Sequence, residues 1–370
     1  MSVEHLRTLT AREVAAELTG DKAGAWDTGA VRFGLDTFRI VYRTVDPGGR
    51  PTTASGLVAL PHSGERRLRT VSFTHGTELF KDVASVSTSV WDQAPALICA
   101  SAGFATVLPD YLGLGLGSGP HPWMDVPSET TAALDMLRAS RALVAAKGRE
   151  LRREVLVIGF SQGASAALGL ARSLQDGADG WFRLRAVAPT SGAYAFRDAE
   201  LPERTEPKAG VIHAALPLVA FNRLHHLYDT PAQVFRAPYD RTIEGLLDGT
   251  HTGQEVVAGT PGSLDALLTS RGRMLLAQPT GRLASAPTGR PRLRSGSTTP
   301  TGTSRPSPRT PPTARPPCAP EASMLHWSAS APRTTAARAI WAPAGRNLGR
   351  GALVPFFAPT RVSWILNLAR

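Results

Sequence analysis

Short apolar runs rich in β-branched residues alternate along this chain with longer runs of small and helix-favouring residues. The runs Thr70–Thr77, Phe104–Asp110, Arg153–Gly159 and Leu184–Gly192 have the length and composition of strands buried on both faces. Between them the pattern predicts a helix near Ala94–Ala102, a long one over about Ser128–Ala146, and another over Ala164–Leu174. Ser128 is the expected cap of the long helix, and Ala132, Leu134, Met136, Leu137, Ala139, Leu143 and Val144 form its apolar face. Earlier, Thr37–Arg43 and Thr52–Leu60 flank Asp46-Pro-Gly-Gly-Arg50, the signature of an antiparallel hairpin. Alternating strands and helices of this size imply a mostly parallel sheet with helices on both faces. Residues 1–34 read as a helical lead-in, 35–194 as the α/β core, and 195–278 as scattered helical pieces, among them Gly210–His226 and Thr242–Leu247.

Candidate chemistry sits where one strand run meets a helical run, at Gly159-Phe-Ser-Gln-Gly163. A serine hydroxyl is a poor nucleophile at neutral pH, so an enzyme using one presents it on a sharp exposed turn near a base and an oxyanion pocket. Glycines two residues either side of Ser161 remove side chains that would clash in such a turn. The bland alternative is an ordinary Gly-Ser turn of an α/β domain. In the catalytic reading the residue after the nucleophile, Gln162, gives one backbone N–H to the oxyanion, and the His75-Gly-Thr77 turn gives the other near Gly76 and Thr77. His75 precedes Ser161, against the usual order of the triad, so its expected role is to shape that turn. The loop Asp110-Tyr-Leu-Gly-Leu-Gly-Leu-Gly-Ser118 is glycine-rich but lacks the lysine of a phosphate-binding loop, which argues against nucleotide binding.

With Ser55-Gly-Leu-Val-Ala-Leu-Pro61, the His75-Gly-Thr turn, Pro109-Asp-Tyr-Leu-Gly-Leu-Gly115 and the Gly159–Gly163 elbow in this order, residues 35–275 resemble the α/β-hydrolase superfamily. Within it they are most similar to the secretory-lipase-like branch of lipases and esterases. The resemblance implies hydrolysis of small-molecule or lipid carboxylic esters through an acyl-enzyme on Ser161, with no metal and no organic cofactor. It also implies that 195–278 is a cap inserted over the site. Within that stretch His225 and His226 close an apolar helix and read as helix-end residues, and His251 lies in a turn-like loop.

Beyond residue 278 the pattern ends. Of 41 basic and 30 acidic residues in the chain, thirteen arginines lie in 281–370 with one acid, Glu321, and no lysine or aspartate. The net charge of +11 is therefore a property of the tail, since residues 1–280 hold 28 basic and 29 acidic groups. Ten prolines among residues 281–320 exclude regular elements of useful length there. The triad order Ser, acid, His leaves His326 as base, with Asp265 or Glu321 as acid. Three readings of 279–370 stand: a disordered basic segment that contacts nucleic acid or another polyanion, a diverged domain of an inactive hydrolase, or an out-of-frame translation of GC-rich sequence. The third accounts together for the composition change, the loss of acids and the missing triad partners. The first carries the alternative function, a non-catalytic hydrolase-fold binding protein with an arginine-rich tail.

Cys99 lies in an apolar helical run and Cys318 in the tail, so a disulfide is not expected, and Cys99 reads as a packing residue. No apolar signal-peptide core opens the chain and no run of about 20 apolar residues spans a membrane, an expectation of a cytoplasmic protein, although relatives of this branch are often exported.

Overall fold

The computed structural model describes residues 1–20, 26, 28–192 and 207–277. The His326 assignment, Cys318, Glu321 and every expectation for 279–370 lie outside these residues.

The chain does not begin as a helical lead-in. Residues Ser2–Leu9 form strand β1, which pairs antiparallel with β2 (Leu35–Val45) from Ser2 opposite Val41 to Leu9 opposite Leu35. Only then comes helix α1 (Ala11–Thr19), started by a capping box in which Thr10 and Glu13 satisfy each other's backbone N–H groups. The strand was hidden because β1 is a mostly exposed edge with little apolar content to reveal its period. The predicted hairpin is present: β2 pairs residue for residue with β3 (Pro51–Pro61), and Asp46 Oδ1 accepts from the backbone N–H of Gly48 and Arg50, both at 2.9 Å, to close the turn.

There follow β4 (Arg67–Thr74), α2 (Val90–Ser101), β5 (Phe104–Pro109), α3 (Val126–Ala146), β6 (Glu150–Phe160), α4 (Gln162–Gln175) and β7 (Arg183–Thr190). Helix α3 starts two residues before Ser128. Its cap is Asp125, whose carboxylate accepts from Ser128 N–H at 3.2 Å, and Pro127 fits the first turn, where no N–H is required. The sheet order is β1-β2-β3-β5-β4-β6-β7. Pairs β1/β2, β2/β3 and β3/β5 are antiparallel and β5/β4, β4/β6 and β6/β7 parallel, so all strands except β1 and β3 point the same way.

Strand alternation divides the core into two layers. Leu57, Ala59, Val71, Phe73, Leu156 and Ile158 face α1 and α2 on one side. Their sequence neighbours Val58, Leu60, Val155 and Val157 face α3 and α4 on the other. Small residues let α3 and α4 close up: a side chain on Gly169 of α4 would lie 2.8 Å from Val126 Cγ1. Cys99 is buried and free, as expected of a packing residue.

A third cluster collects α5 (Pro207–His225), α6 (Ile243–Leu246), α7 (Gly253–Gly259), α8 (Leu264–Leu267) and α9 (Ser270–Ala277). Val211, Ala215, Leu218 and Val219 of α5 pack with Val234, Phe235, Ile243, Val256 and Leu267, and Trp123, from the segment between β5 and α3, joins the same cluster. Among the described residues no helix is long and apolar enough to cross a membrane.

Candidate active site

Strand β6 delivers Ser161 to the rim of the sheet, and helix α4 starts one residue later. Ser161 occupies φ 53°, ψ −121°, a conformation costly for a residue with a Cβ. Two contacts hold it there. Its N–H donates to Thr190 O at the end of β7 at 3.0 Å, and its carbonyl accepts from Ala164 N–H at 3.0 Å. The hydroxyl does not cap α4.

The flanking glycines have the role the motif predicts. A Cβ on Gly163 would fall 2.5 Å from the carbonyl carbon of Thr74, and one on Gly159 would be 2.6 Å from the carbonyl carbon of Gly163. Both positions press backbone on backbone, so the start of α4 sits against the end of β4. Thr74 Oγ1 strengthens the seam by donating to Gly163 O at 2.7 Å. On the other side of Ser161, a side chain on Gly76 would meet Ser161 Cβ at 3.5 Å and Phe160 at 3.2 Å. The His75-Gly-Thr turn and the start of α4 thus bracket the serine.

That turn is fastened by groups that sequence reasoning singled out only in part. His75 Nδ1–H donates to Gly76 O at 2.8 Å, and the ring packs on Tyr111 at 4.4 Å between centroids. Tyr111, itself at φ 68°, donates its hydroxyl to His75 O at 3.1 Å. Burial lowers the pKa of His75. The shaping role expected of His75 agrees with these contacts. Thr77 accepts the indole N–H of buried Trp123 at 3.0 Å.

Gln162, His121 and Glu129 form a buried polar knot beside the serine. His121 Nδ1–H donates to Leu112 O at 2.9 Å, which leaves Nε2 as an acceptor for the amide of Gln162 at 2.9 Å. The other N–H of that amide donates to Glu129 Oε1 at 2.7 Å. Burial pushes His121 down to about 4 and Glu129 up to about 8, the latter reinforced by Asp125. At neutral pH both groups are therefore uncharged. Glu129 Oε2 and Gln162 Oε1 are buried without a hydrogen-bond partner among the described residues. In the unfolded chain Glu129 ionises near 4.5, so between about 4.5 and 8 the folded state holds a proton that the unfolded state has lost, and stability falls as pH rises. Glu129→Gln removes that slope, and at pH 8 the variant should gain up to roughly 3–5 kcal/mol relative to the wild type at the same pH. Denaturant titrations of both proteins at pH 5 and pH 8 check this, and an equal difference at both pH values would refute it.

Asp110 is the second buried carboxylate. Ser55 Oγ donates to it at 2.6 Å, and Ser85 donates through both its hydroxyl and its N–H. Burial raises it to about 6. Gly115, at φ 56°, folds the glycine-rich loop back onto this carboxylate, where a Cβ would collide with Asp110 Cγ at 2.9 Å. The alternating glycines serve loop compaction around a carboxylate.

Of the residues assigned as triad partners, only Asp265 lies among the described residues. Asp265, in α8, has a side chain 78% exposed and pairs with Arg273. His251 contacts Asp248 at 3.3 Å, and His225 stacks on Phe221 at the end of α5. Among the described residues no histidine hydrogen-bonds the Ser161 hydroxyl. No group of three or more His, Cys, Asp or Glu among them could hold a metal ion. A cleft is lined by Leu79, Leu114, Leu216 and Val219 as apolar wall, by Trp123 and His121, and by the charged groups Glu78 and Arg223.

No protein-family model and no curated protein matches the sequence. Solved structures do. A Legionella pneumophila protein provisionally classed as a hydrolase superposes with a TM-score of 0.67 at 24% identity, over 75% of each chain. The rice cell wall degrading esterase LipA from Xanthomonas oryzae gives the same score at 24% identity, over 77% of this chain and 76% of the esterase. The fold is that of an α/β-hydrolase. The mostly parallel sheet flanked by helices is the one the sequence pattern implied.

Proposed function

We propose that this α/β-hydrolase chain cleaves carboxylic esters through an acyl-enzyme on Ser161. The observation that carries the reading is the turn itself: a non-glycine residue held at φ 53° directly before a helix, with Gly76 packed against its Cβ. Backbone strain of this kind persists where surrounding structure over-determines it, and a nucleophile elbow is one such place. Ser161 Oγ attacks the ester carbonyl carbon while its proton passes to a histidine base. The carbonyl oxygen becomes the oxyanion, held by the N–H of Gln162, which has no intrahelical partner at the start of α4, and by an N–H of the Gly76–Thr77 turn. Collapse of the tetrahedral intermediate expels the alcohol, which takes the proton back. Water then attacks the acyl-enzyme in the reverse sequence and releases the acid and free Ser161.

Chain order gives the base to His326. Exposure of Asp265 and its pairing with Arg273 weigh against that residue as the acid partner. The apolar wall of Leu79, Leu114, Leu216 and Val219 suits the acyl part of the ester, which makes 207–277 the cap of this reading. Fluorophosphonates react with serines activated in this manner. Treatment of the folded chain should yield one adduct, located by mass spectrometry on the peptide that contains Ser161. Folded protein that stays unlabelled would remove the enzyme reading.

A further inference from the structure

The two halves of the oxyanion site are joined by one buried chain of polar groups. On the helix side, Gln162 is 2% exposed and both N–H groups of its amide are engaged, by Glu129 at 2.7 Å and His121 at 2.9 Å. On the turn side, Thr77 is 8% exposed and accepts from Trp123 Nε1 at 3.0 Å. His121 and Trp123 stand two residues apart on the same segment. That segment is pinned in turn by His121 Nδ1–H on Leu112 O and by stacking of the His121 ring on Tyr111 at 5.9 Å. Tyr111 reaches the same turn from behind, through its hydroxyl on His75 O.

We infer that Glu129 is a positioning residue for ester cleavage: it anchors Gln162 and, through His121 and Trp123, fixes the separation between the Gln162 N–H and the Gly76–Thr77 turn. This rests on the Ser161 reading. Glu129 lies at 1% exposure behind Gln162 and does not contact the serine, so it acts through the donors and not on the substrate. Oxyanion donors stabilise the transition state only when they sit where the charge develops, and loss of one whole donor costs about 10²–10³-fold in kcat. Loosening a donor should cost less than deleting it. A group that acts in this way changes kcat and leaves KM near its starting value, since ground-state binding in the cleft does not use it.

The test compares Glu129→Leu and Glu129→Gln in the full chain by three readouts: kcat and KM on p-nitrophenyl butyrate, the second-order rate of fluorophosphonate labelling at Ser161, and the melting temperature. Leucine fills the space but cannot accept from Gln162. Its kcat and labelling rate should fall about 10-fold or more per folded molecule, with KM within about threefold. Glutamine keeps an acceptor oxygen at the same reach and should recover most of that loss. If Glu129→Leu labels and turns over at the wild-type rate, or if glutamine fails equally, the positioning role is wrong. Should the leucine variant not fold, Trp123→Phe removes the indole N–H from Thr77 on the other arm, and an unchanged labelling rate there overturns the inference as well. A folded wild-type chain that does not label overturns the Ser161 reading and the positioning role together, whereas a labelled wild type with an unaffected leucine variant overturns the positioning role alone.

Discussion

Ser161→Ala is expected to lower kcat/KM on a soluble p-nitrophenyl ester by at least about 10³-fold, because no acyl-enzyme can form without the hydroxyl. The residual rate would come from binding and the oxyanion donors, which the substitution leaves in place. Stability should barely change. The hydroxyl does not cap α4, and alanine inherits the same strained backbone at φ 53°, ψ −121°. Ser161→Gly separates the two properties. It should be as inactive as the alanine variant, yet more stable by about 1 kcal/mol, since glycine relieves a backbone conformation that costs a side-chain-bearing residue about 1–3 kcal/mol. Progress curves and denaturant titrations on the three proteins decide the matter. A Ser161→Ala variant within tenfold of wild-type kcat/KM would place the chemistry elsewhere, and equal stability of the alanine and glycine variants would show that the turn is not strained.

Much of the architecture could be read from residue types because the physics was local. Strands β4, β5 and β6 each carry a short run rich in β-branched and apolar residues, the Asp46–Arg50 turn carries its own hydrogen-bond acceptor, and the glycines around Ser161 sit where a Cβ collides with backbone. What escaped depended on distant partners. Strand β1 is legible only against β2, since its residues lie on the exposed edge of the sheet. Ser128 was read as a cap because serine caps helices, but Asp125 three residues earlier took that position and placed Ser128 inside the first turn. Glu129 gave no signal: a glutamate in the first turn of a helix reads as a favourable surface charge, and only the tertiary structure buries it against Gln162. One trace existed in the sequence, a histidine and a tryptophan two residues apart before a helix cap, without a pattern that pointed to Gln162.

The buried acids also set how stability responds to pH. Asp110 and Glu129 are both held protonated above their ordinary range, and His121 is held neutral below its own. From about pH 4.5 to 6 the two carboxyls each make stability fall as pH rises, while His121 makes it rise, because the unfolded imidazole takes up a proton that the folded one refuses. Of these three groups, only Glu129 still acts between about 6.5 and 8. In that window their contribution to the slope therefore belongs to Glu129, the group proposed to position Gln162.

Gly163→Ala should be strongly damaging. The added methyl would fall within 2.5 Å of the Thr74 carbonyl carbon, and closer still to the carbonyl oxygens of Thr74 and His75. These are backbone atoms of β4 and of the turn that leads to Gly76, so no side chain can swing aside. Relief requires α4 to move away from β4, which also breaks the 2.7 Å hydrogen bond from Thr74 Oγ1 to Gly163 O. Overpacking a rigid core costs about 1–3 kcal/mol where side chains can adjust, and this site should exceed that range, with a loss of at least about 3 kcal/mol. Because Gly163 follows Gln162 and His75 precedes Gly76, the same displacement separates the two proposed oxyanion donors. The fraction that still folds should therefore label slowly at Ser161. Gly180→Ala is the matched control, since nothing lies within 4 Å of its added methyl, and its stability should change by about 0.5 kcal/mol or less. If Gly163→Ala unfolds no earlier than Gly180→Ala, the backbone seam between β4 and α4 is not what holds Ser161 in place.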